Sequence, residues 1–387
     1  MDAQDFTQAE STQPEAAQPE SAHPESRQLD FTEDELLESE TPAEPLVVSG
    51  TLCHGGLRSD GSYFSPRTAV RTSAIKAWQE HHRAMFGTEL LDAPIDTWPT
   101  AYPNLAQGRH LLANGVREPI ISILTRIGTV EAFGAGLRYL APGRLAPADV
   151  QACFAEEVTQ TATWHLGRGL IEAHARDEAG WGPEAGHDRM WFAVRDSAFE
   201  NPVTPDQTRV LLARMGIQRP SDAQGPSAGQ GARPPAASGS EERLVEGIDP
   251  GLESLIRTMT GVLFIEIRAF HLFAWAEQLL ADTELVAGDG LPARLVSYIR
   301  QDEMPHVEYL RTALSEMHDR TFVGTEGRLI PGKQVIGTIW DHQLHMAHNV
   351  REPQTRAAYV SEVEHALAGR SDGPDLLAEY HSLGDAA

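Results

Sequence analysis

The residue that most restricts how this chain can fold is Glu266, set in the middle of Val262-Leu263-Phe264-Ile265-Glu266-Ile267-Arg268-Ala269-Phe270-His271-Leu272-Phe273-Ala274-Trp275. So apolar a stretch must be buried, and an isolated ionised carboxylate in such surroundings costs several kcal/mol. Something positive has to offset that cost. Downstream the chain reads Asp302-Glu303-Met304-Pro305-His306. On a helix, residues at i and i+3 project from one face, so Glu303 and His306 can hold one cation while Glu266 reaches it from a facing helix. The intervening stretch from Asp282 to Gly290 is rich in Asp and Gly and predicts a turn. Glu266 lies about four helical turns before it, and Glu303 a similar distance after it. The two carboxylates therefore fall at one level of a helical hairpin.

Glu-x-x-His also occurs at Glu184–His187 and Glu362–His365, so the motif alone is weak. Glu303 is set apart by its company: Asp302 precedes it, Ile299 and Leu310 flank it, and a partner carboxylate stands at the right distance upstream. The competing reading is a buried salt-bridge cluster using Arg268 or Arg300.

With 387 residues, 41% of them hydrophobic, the chain can bury a large core. Its formal charge of -25 is concentrated at one end, because residues 1–48 carry thirteen Asp and Glu against Arg27 alone. The remainder is moderately acidic, which argues against nucleic-acid or anionic-membrane partners, both of which need a basic face. Small molecules are the expected partners. Cys53 and Cys153 are too few for a disulfide framework and have no zinc-type spacing. The first residues show neither a basic stretch nor an apolar one, so no secretory leader is expected in them. The most apolar run, Val262 to Ala281, contains Glu266, Arg268, His271 and Glu277, which a lipid-facing helix would not tolerate. A cytoplasmic protein is expected.

Residues 1–48 open with a degenerate repeat (Gln13-Pro14-Glu15, Gln18-Pro19-Glu20, His23-Pro24-Glu25) and continue as an acidic run, which predicts a disordered tail in which only Leu29-Asp30-Phe31 and Leu36-Leu37 could dock. Residues 49–118 read as a loop-rich extension with one helix from Pro66 to Phe86. From Pro119 the pattern turns helical, with Ile120, Ile121, Leu124, Ile127 and Val130 at helical spacing and a stop at Ala141-Pro142-Gly143. A second helix is expected from Pro147 to about Asp177, and a third from Glu184 to about Phe199 beyond Gly180-Trp181-Gly182-Pro183. Residues 218–240 have linker composition. Helices resume over Gly251–Ala281 and Pro292–Met317, followed by a C-terminal packing segment, 321–387, with helices at Val335–Asn349 and Gln354–Leu367. The expected fold class is all-α. Two helical hairpins joined by a long crossover, here over residues 119–320, have the connectivity of a ferritin-like bundle, with extra helices and loops at both ends.

The other half of the site is open to several assignments. If the hairpins are pseudo-repeats, Glu131 corresponds to Glu266, and Glu156-Glu157 falls where Asp302-Glu303 stands, with Gln160 in place of the histidine. Alternatively His165 and Glu172, seven residues apart on one helix face with Gly169 between, supply the ligands. A third choice uses Glu184 and His187, brought back by the Gly180 turn. His271 is a further candidate on the Glu266 helix.

At this point the chain resembles the ferritin-like dimetal-carboxylate superfamily, which includes rubrerythrins, ribonucleotide reductase small subunits, bacterial multicomponent monooxygenases and arylamine N-oxygenases. Its signature is a carboxylate helix followed about thirty residues on by Asp-Glu-x-x-His, occurring twice, and residues 266 to 306 match one copy. The resemblance implies Glu266, Glu303 and His306 as metal ligands, with Asp302 as the outer carboxylate that orients a ligand histidine. Mixed carboxylate and imidazole donors suit iron, or alternatively manganese. The expected function is therefore a non-haem diiron oxidoreductase, oxidase or oxygenase, using dioxygen on a small organic substrate, with an electron donor and a homodimer as possible partners. The alternatives are a ferroxidase or iron-handling protein and a metal-free helical binding protein. Trp164, Phe270, Trp275, Tyr298 and Tyr309 are candidates for lining the pocket, and Gly134-Ala135-Gly136 follows a helix rather than a strand, so no nucleotide motif is expected.

Overall fold

A computed structural model describes residues 28–38, 45–56, 65, 69–139, 146–199, 201–214 and 243–385. Among the described residues the fold is all-α apart from two small antiparallel hairpins, Leu46–Val48 with Thr51–Cys53 and Thr321–Val323 with Leu329–Pro331. The expected linker at 218–240, the N-terminal repeat and the stop at 141–143 lie outside the described residues.

Four helical units surround the site. The first is α4 (Glu118–Gly134), which starts with Pro119 in its first turn and buries Ile120, Ile123, Leu124 and Ile127. The second is bipartite: α7 (Leu170–Ala179) and α8 (His187–Ala198) are separated by the Gly180–Gly186 turn, and both pack on α4. The third is the 31-residue α10 (Pro250–Leu280), begun by Asp249, whose carboxylate accepts the Gly251 and Leu252 N–H groups. The fourth is α11 (Leu291–Asp302) running through Glu303 into α12 (Met304–His318). Pro305 has no N–H to return to the carbonyl one turn back, which explains the break between α11 and α12. Both pack along α10, and α11 also packs on α8.

The remaining helices dress this frame. N-terminal to it are α1 (Glu33–Leu36), α2 (Ala69–Phe86) and α3 (Leu105–Ala113); between α4 and α7 lie α5 (Pro147–Ala152) and α6 (Ala162–His165); α9 (Pro205–Arg214) follows α8. The C-terminal segment forms α13 (Gly332–His345), a π turn over Met346–Arg351, α14 (Glu352–Leu367) and α15 (Gly373–Asp385). The Gln354–Leu367 expectation agrees with α14, the stretch expected as one helix from Pro292 to Met317 is divided at Glu303 into α11 and α12, and α15 is an addition to the expected elements.

Two expectations need correction. The helix expected from Pro147 to Asp177 is interrupted. The chain loops from Cys153 to Thr161, and Gly169, at φ 128, then turns it before α7. The start of α6 is fixed from far away, because Glu316 accepts the N–H groups of Ala162 (3.0 Å) and Thr163 (2.8 Å). The acidic segment around residue 30 is also packed rather than solvated. Leu36 is fully buried and Phe31 nearly so, the Trp78 indole donates to the Leu29 carbonyl at 2.8 Å, and Arg168 pairs with Asp30 at 2.6 Å.

Two helical stretches, Glu118–Leu137 and Pro250–Leu280, are long and apolar enough to cross a membrane, and both are mostly buried inside the fold. They are the helices that carry Glu131 and Glu266.

Candidate metal centre

Four glutamates and three histidines converge between the four helical units. Glu131 comes from α4, His174 and Glu178 from α7, His187 from the first position of α8, and Glu266 from α10; Glu303 and His306 come from the α11–α12 junction. Their donor atoms form three overlapping sets, each within 4.8 Å: Glu131, Glu178, His187 and Glu303; Glu266, Glu303 and His306; and His174, Glu178 and His306. Glu178 and Glu303 each belong to two sets, so they lie between two possible cation positions. Glu131 with His187 flanks one, and Glu266 with His306 flanks the other.

The two histidines are held in matching ways. His306 Nδ1 is 2.6 Å from Glu303 Oε2, and its Nε2 is 3.0 Å from Asp177 Oδ2. His187 Nδ1 is 2.7 Å from Glu303 Oε1 and 3.2 Å from Glu178 Oε1, and its Nε2 is 3.7 Å from Asp302 Oδ2. Each imidazole thus directs Nδ1 inward and Nε2 toward the aspartate that precedes the opposite glutamate. A carboxylate behind a ligand histidine fixes its orientation and raises its basicity. Both aspartates are themselves partnered. Arg71 from α2 grips Asp177 at 2.7 and 3.3 Å and the Trp181 indole donates to it at 3.0 Å, while His54, just after the first hairpin, lies 2.9 Å from Asp302.

Local backbone chemistry positions His187. A Cβ on Gly186 would lie 2.1 Å from the Glu178 carbonyl oxygen, so only glycine lets the start of α8 sit against the end of α7. The Ala185 N–H donates to the Leu52 carbonyl at 2.8 Å, tying this turn to the hairpin that presents His54.

Burial dominates the electrostatics. It raises the carboxyl of Glu131, with Glu178 and Glu303 adding to the effect, and likewise that of Glu266, with Glu303 adding to it. Glu178 is raised chiefly by burial. For Glu303 burial is overridden by His187 and His306, which hold its carboxyl far below the usual range. His306, lowered by burial, is lifted by Glu303 and Asp177 to about 10, and His187 is raised by Glu303 and Glu178. His174 goes the other way, since burial and the neighbouring His306 hold it well below the ordinary imidazole range. The protein groups therefore share protons among themselves, and divalent cations would displace those protons. Two atoms fit that role most plainly: His174 Nε2 and Glu178 Oε2 are buried without a hydrogen-bond partner. The donor set is oxygen and nitrogen only, as iron or manganese prefers. Cys53 and Cys153 lie outside it.

Of the residues singled out from sequence, Glu131, Glu266, Glu303, His306 and His187 come together here, with Asp302 behind them. The others do not. His165 stacks on Trp78 at 4.6 Å, receives the Phe31 N–H at Nε2 (3.0 Å) and bonds the Thr161 carbonyl through Nδ1 (2.6 Å), so both its nitrogens are used. Glu172 pairs with Arg176 at 2.8 Å, because the Gly169 break removes the register that aligned it with His165. Glu157 takes a hydrogen bond from Thr159, and Glu156 caps the strand at Thr321. Glu184 lies in the turn before α8 and so shares no helix face with His187. His271, five residues beyond Glu266, points to the Ile95 carbonyl at 2.7 Å. The salt-bridge alternative does not hold, since Arg268 pairs with Glu352 and Arg300 with Glu277.

Sequence reasoning missed His174, Asp177, Glu178, His54 and Arg71. A signal existed: outside Asp34-Glu35, the dipeptide Asp-Glu occurs twice, at 177–178 and 302–303. Of the aromatic candidates, Tyr309 reaches the site, 3.0 Å from His174 Nδ1, and Tyr298 stacks on His54.

No protein-family model, curated protein or solved structure matches this chain.

Proposed function

We propose that this protein is a dimetal-carboxylate oxidoreductase of the ferritin-like kind, using two iron ions, or manganese, and dioxygen to oxidise a small organic substrate. One observation carries this: two Asp-Glu units, 177–178 and 302–303, interlock so that each glutamate lies between two cation positions while each aspartate backs an imidazole. The arginine-paired alternative would need Arg268 or Arg300 at these carboxylates, and they pair with Glu352 and Glu277. Arg71 faces the outer Asp177 instead.

Glu131, Glu178, Glu266, Glu303, His187 and His306 would hold the ions, and His174 is in reach as a further donor. When bound, an iron pair supplies electrons to dioxygen without an organic cofactor. The protein groups keep water away: these ligands are almost fully buried, and Glu131 at 6% and Glu266 at 7% retain the most exposure. Asp177 holds the ring nitrogen Nε2 of His306 at 3.0 Å, and Asp302 faces Nε2 of His187 at 3.7 Å, so both rings present Nδ1 inward.

Anaerobic loading with Fe(II), followed by oxygen, tests the proposal. A transient visible chromophore with no more than two irons per chain is expected for an oxidoreductase. Many irons accumulating per chain would mark an iron-storage protein, and no iron uptake would leave a helical binding protein.

A further inference from the structure

We infer that the two cation positions are inequivalent: the position flanked by Glu266 and His306 fills first and holds its ion more tightly because His174 is a ligand to it, and the position flanked by Glu131 and His187 is the exchangeable one. This rests on the dimetal proposal above and adds an order to it.

His174 belongs to the set formed with Glu178 and His306, and not to the set that contains Glu131 and His187. Its Nε2 is 3.4 Å from Glu266 Oε1 and 3.9 Å from Glu178 Oε1, is buried, and makes no hydrogen bond. A fully buried imidazole nitrogen aimed at two carboxylates without bonding either is well accounted for by a shared cation. The opposite nitrogen is anchored. Nδ1 lies 3.0 Å from the Tyr309 hydroxyl; in the tautomer whose ring N–H is donated to that oxygen, the Nε2 lone pair faces Glu266 and Glu178, which is the form a cation would select. Tyr309 stands on α12 one turn beyond His306, so the helix that presents one imidazole also fixes the other. The His174 and His306 rings stack at 3.7 Å with 9° between their planes, which places the two imidazoles next to one another. Among the described residues, His187 is the one imidazole in the set with Glu131. Fewer protein donors there leave room for a small exogenous ligand.

Titration of metal-free, full-length protein with Co(II), followed by calorimetry and by visible absorbance, tests the order. Wild type should show two events separated by about tenfold or more in affinity, the scale expected when one extra supporting group distinguishes two sites. His187→Ala should lose the weaker event and keep the tighter. His174→Ala should weaken the tighter event until the two merge. His174→Gln, which refills most of the volume, should do the same with unchanged helical circular dichroism. Tyr309→Phe, acting only through the orientation of His174, should weaken the tighter event several-fold and leave the weaker alone. Two equal events in wild type, or a tighter event indifferent to both His174 substitutions, would overturn this inference while leaving the dimetal proposal standing. Wild type that binds no Co(II) would overturn both.

Discussion

Replacing Glu178 with glutamine should change stability in opposite directions with and without bound cations. Glu178 is 2% exposed, shares its interior with Glu131, Glu266 and Glu303, and has the His187 ring at 3.2 Å as its nearest counter-charge. In metal-free protein the substitution removes one of four crowded acids at the expense of one imidazole contact. Relief of incompletely compensated buried charge is worth on the order of 1–2 kcal/mol. In loaded protein Glu178 serves both cation positions, so its loss weakens both. With free cation about 100-fold above Kd, each position contributes about 2.7 kcal/mol, and a 100-fold loss of affinity removes about 2 kcal/mol of that at each. Taking about 2 °C per kcal/mol, appropriate to a large domain, Glu178→Gln should raise the metal-free unfolding midpoint by about 3 °C and lower the loaded midpoint by about 5 °C. Scanning calorimetry after exhaustive chelation, and again in excess Mn(II), reads both. A midpoint that falls equally in the two states would show that Glu178 is a packing or hydrogen-bonding residue, and the cation argument would fail.

Four further outcomes follow from the same geometry. Arg71→Met leaves the buried Asp177 carboxylate without its main counter-charge and should cost about 3–5 kcal/mol in urea unfolding; a loss below about 1 kcal/mol, the range of an exposed pair, would contradict the burial assigned to it. Gly186→Ala forces a Cβ against the Glu178 carbonyl, so α8 must shift, and the protein should lose the cation at the His187 position while its helical circular dichroism persists. Cation affinity should climb with pH between about 6 and 8, with protons released on binding, because His187 and His306 are raised above the ordinary imidazole range and must give up their protons to bind; affinity independent of pH would mean that other groups bind. His165 is held below the ordinary imidazole range by burial, so its stabilising contribution is complete above the unfolded value and declines as pH falls through it. Amide exchange in residues 28–38, corrected for intrinsic rate, should accelerate at about pH 5 relative to pH 7.5, since a protonated Nε2 cannot accept the Phe31 N–H.

The half of the site on α10 and the α11–α12 junction was legible because its grammar is local. A long apolar periodicity fixes the helices, Glu303 and His306 stand one turn apart, and the Asp282 to Gly290 turn sets the level of Glu266. The other half obeys the same plan with one displaced part. Its acidic pair is Asp177-Glu178, but its histidine is supplied nine positions on by His187, across a glycine-bounded turn. No helical periodicity links those two, and the contact exists because Gly186 admits a close approach that only three dimensions reveal. The broken helix before it was hidden for a similar reason: Glu316, remote in sequence, caps α6, and Gly169 turns the chain before α7. In the N-terminal acidic run the two apolar residues that pack, Phe31 and Leu36, belong to the two short segments that read as able to dock, and their burial outweighs the surrounding charge. His54 lies among loop signals and Arg71 on the helix expected from Pro66 to Phe86, and nothing in their neighbours marks them as partners of Asp302 and Asp177.

Anomalous X-ray scattering at the iron edge, from crystals of protein loaded anaerobically with Fe(II), tests the central claim most directly. Two peaks are predicted between the carboxylates of Glu178 and Glu303, one beside Glu131 and His187 and the other beside Glu266 and His306. An interior without scattering, with the seven side chains bonded to one another or to water, would contradict it.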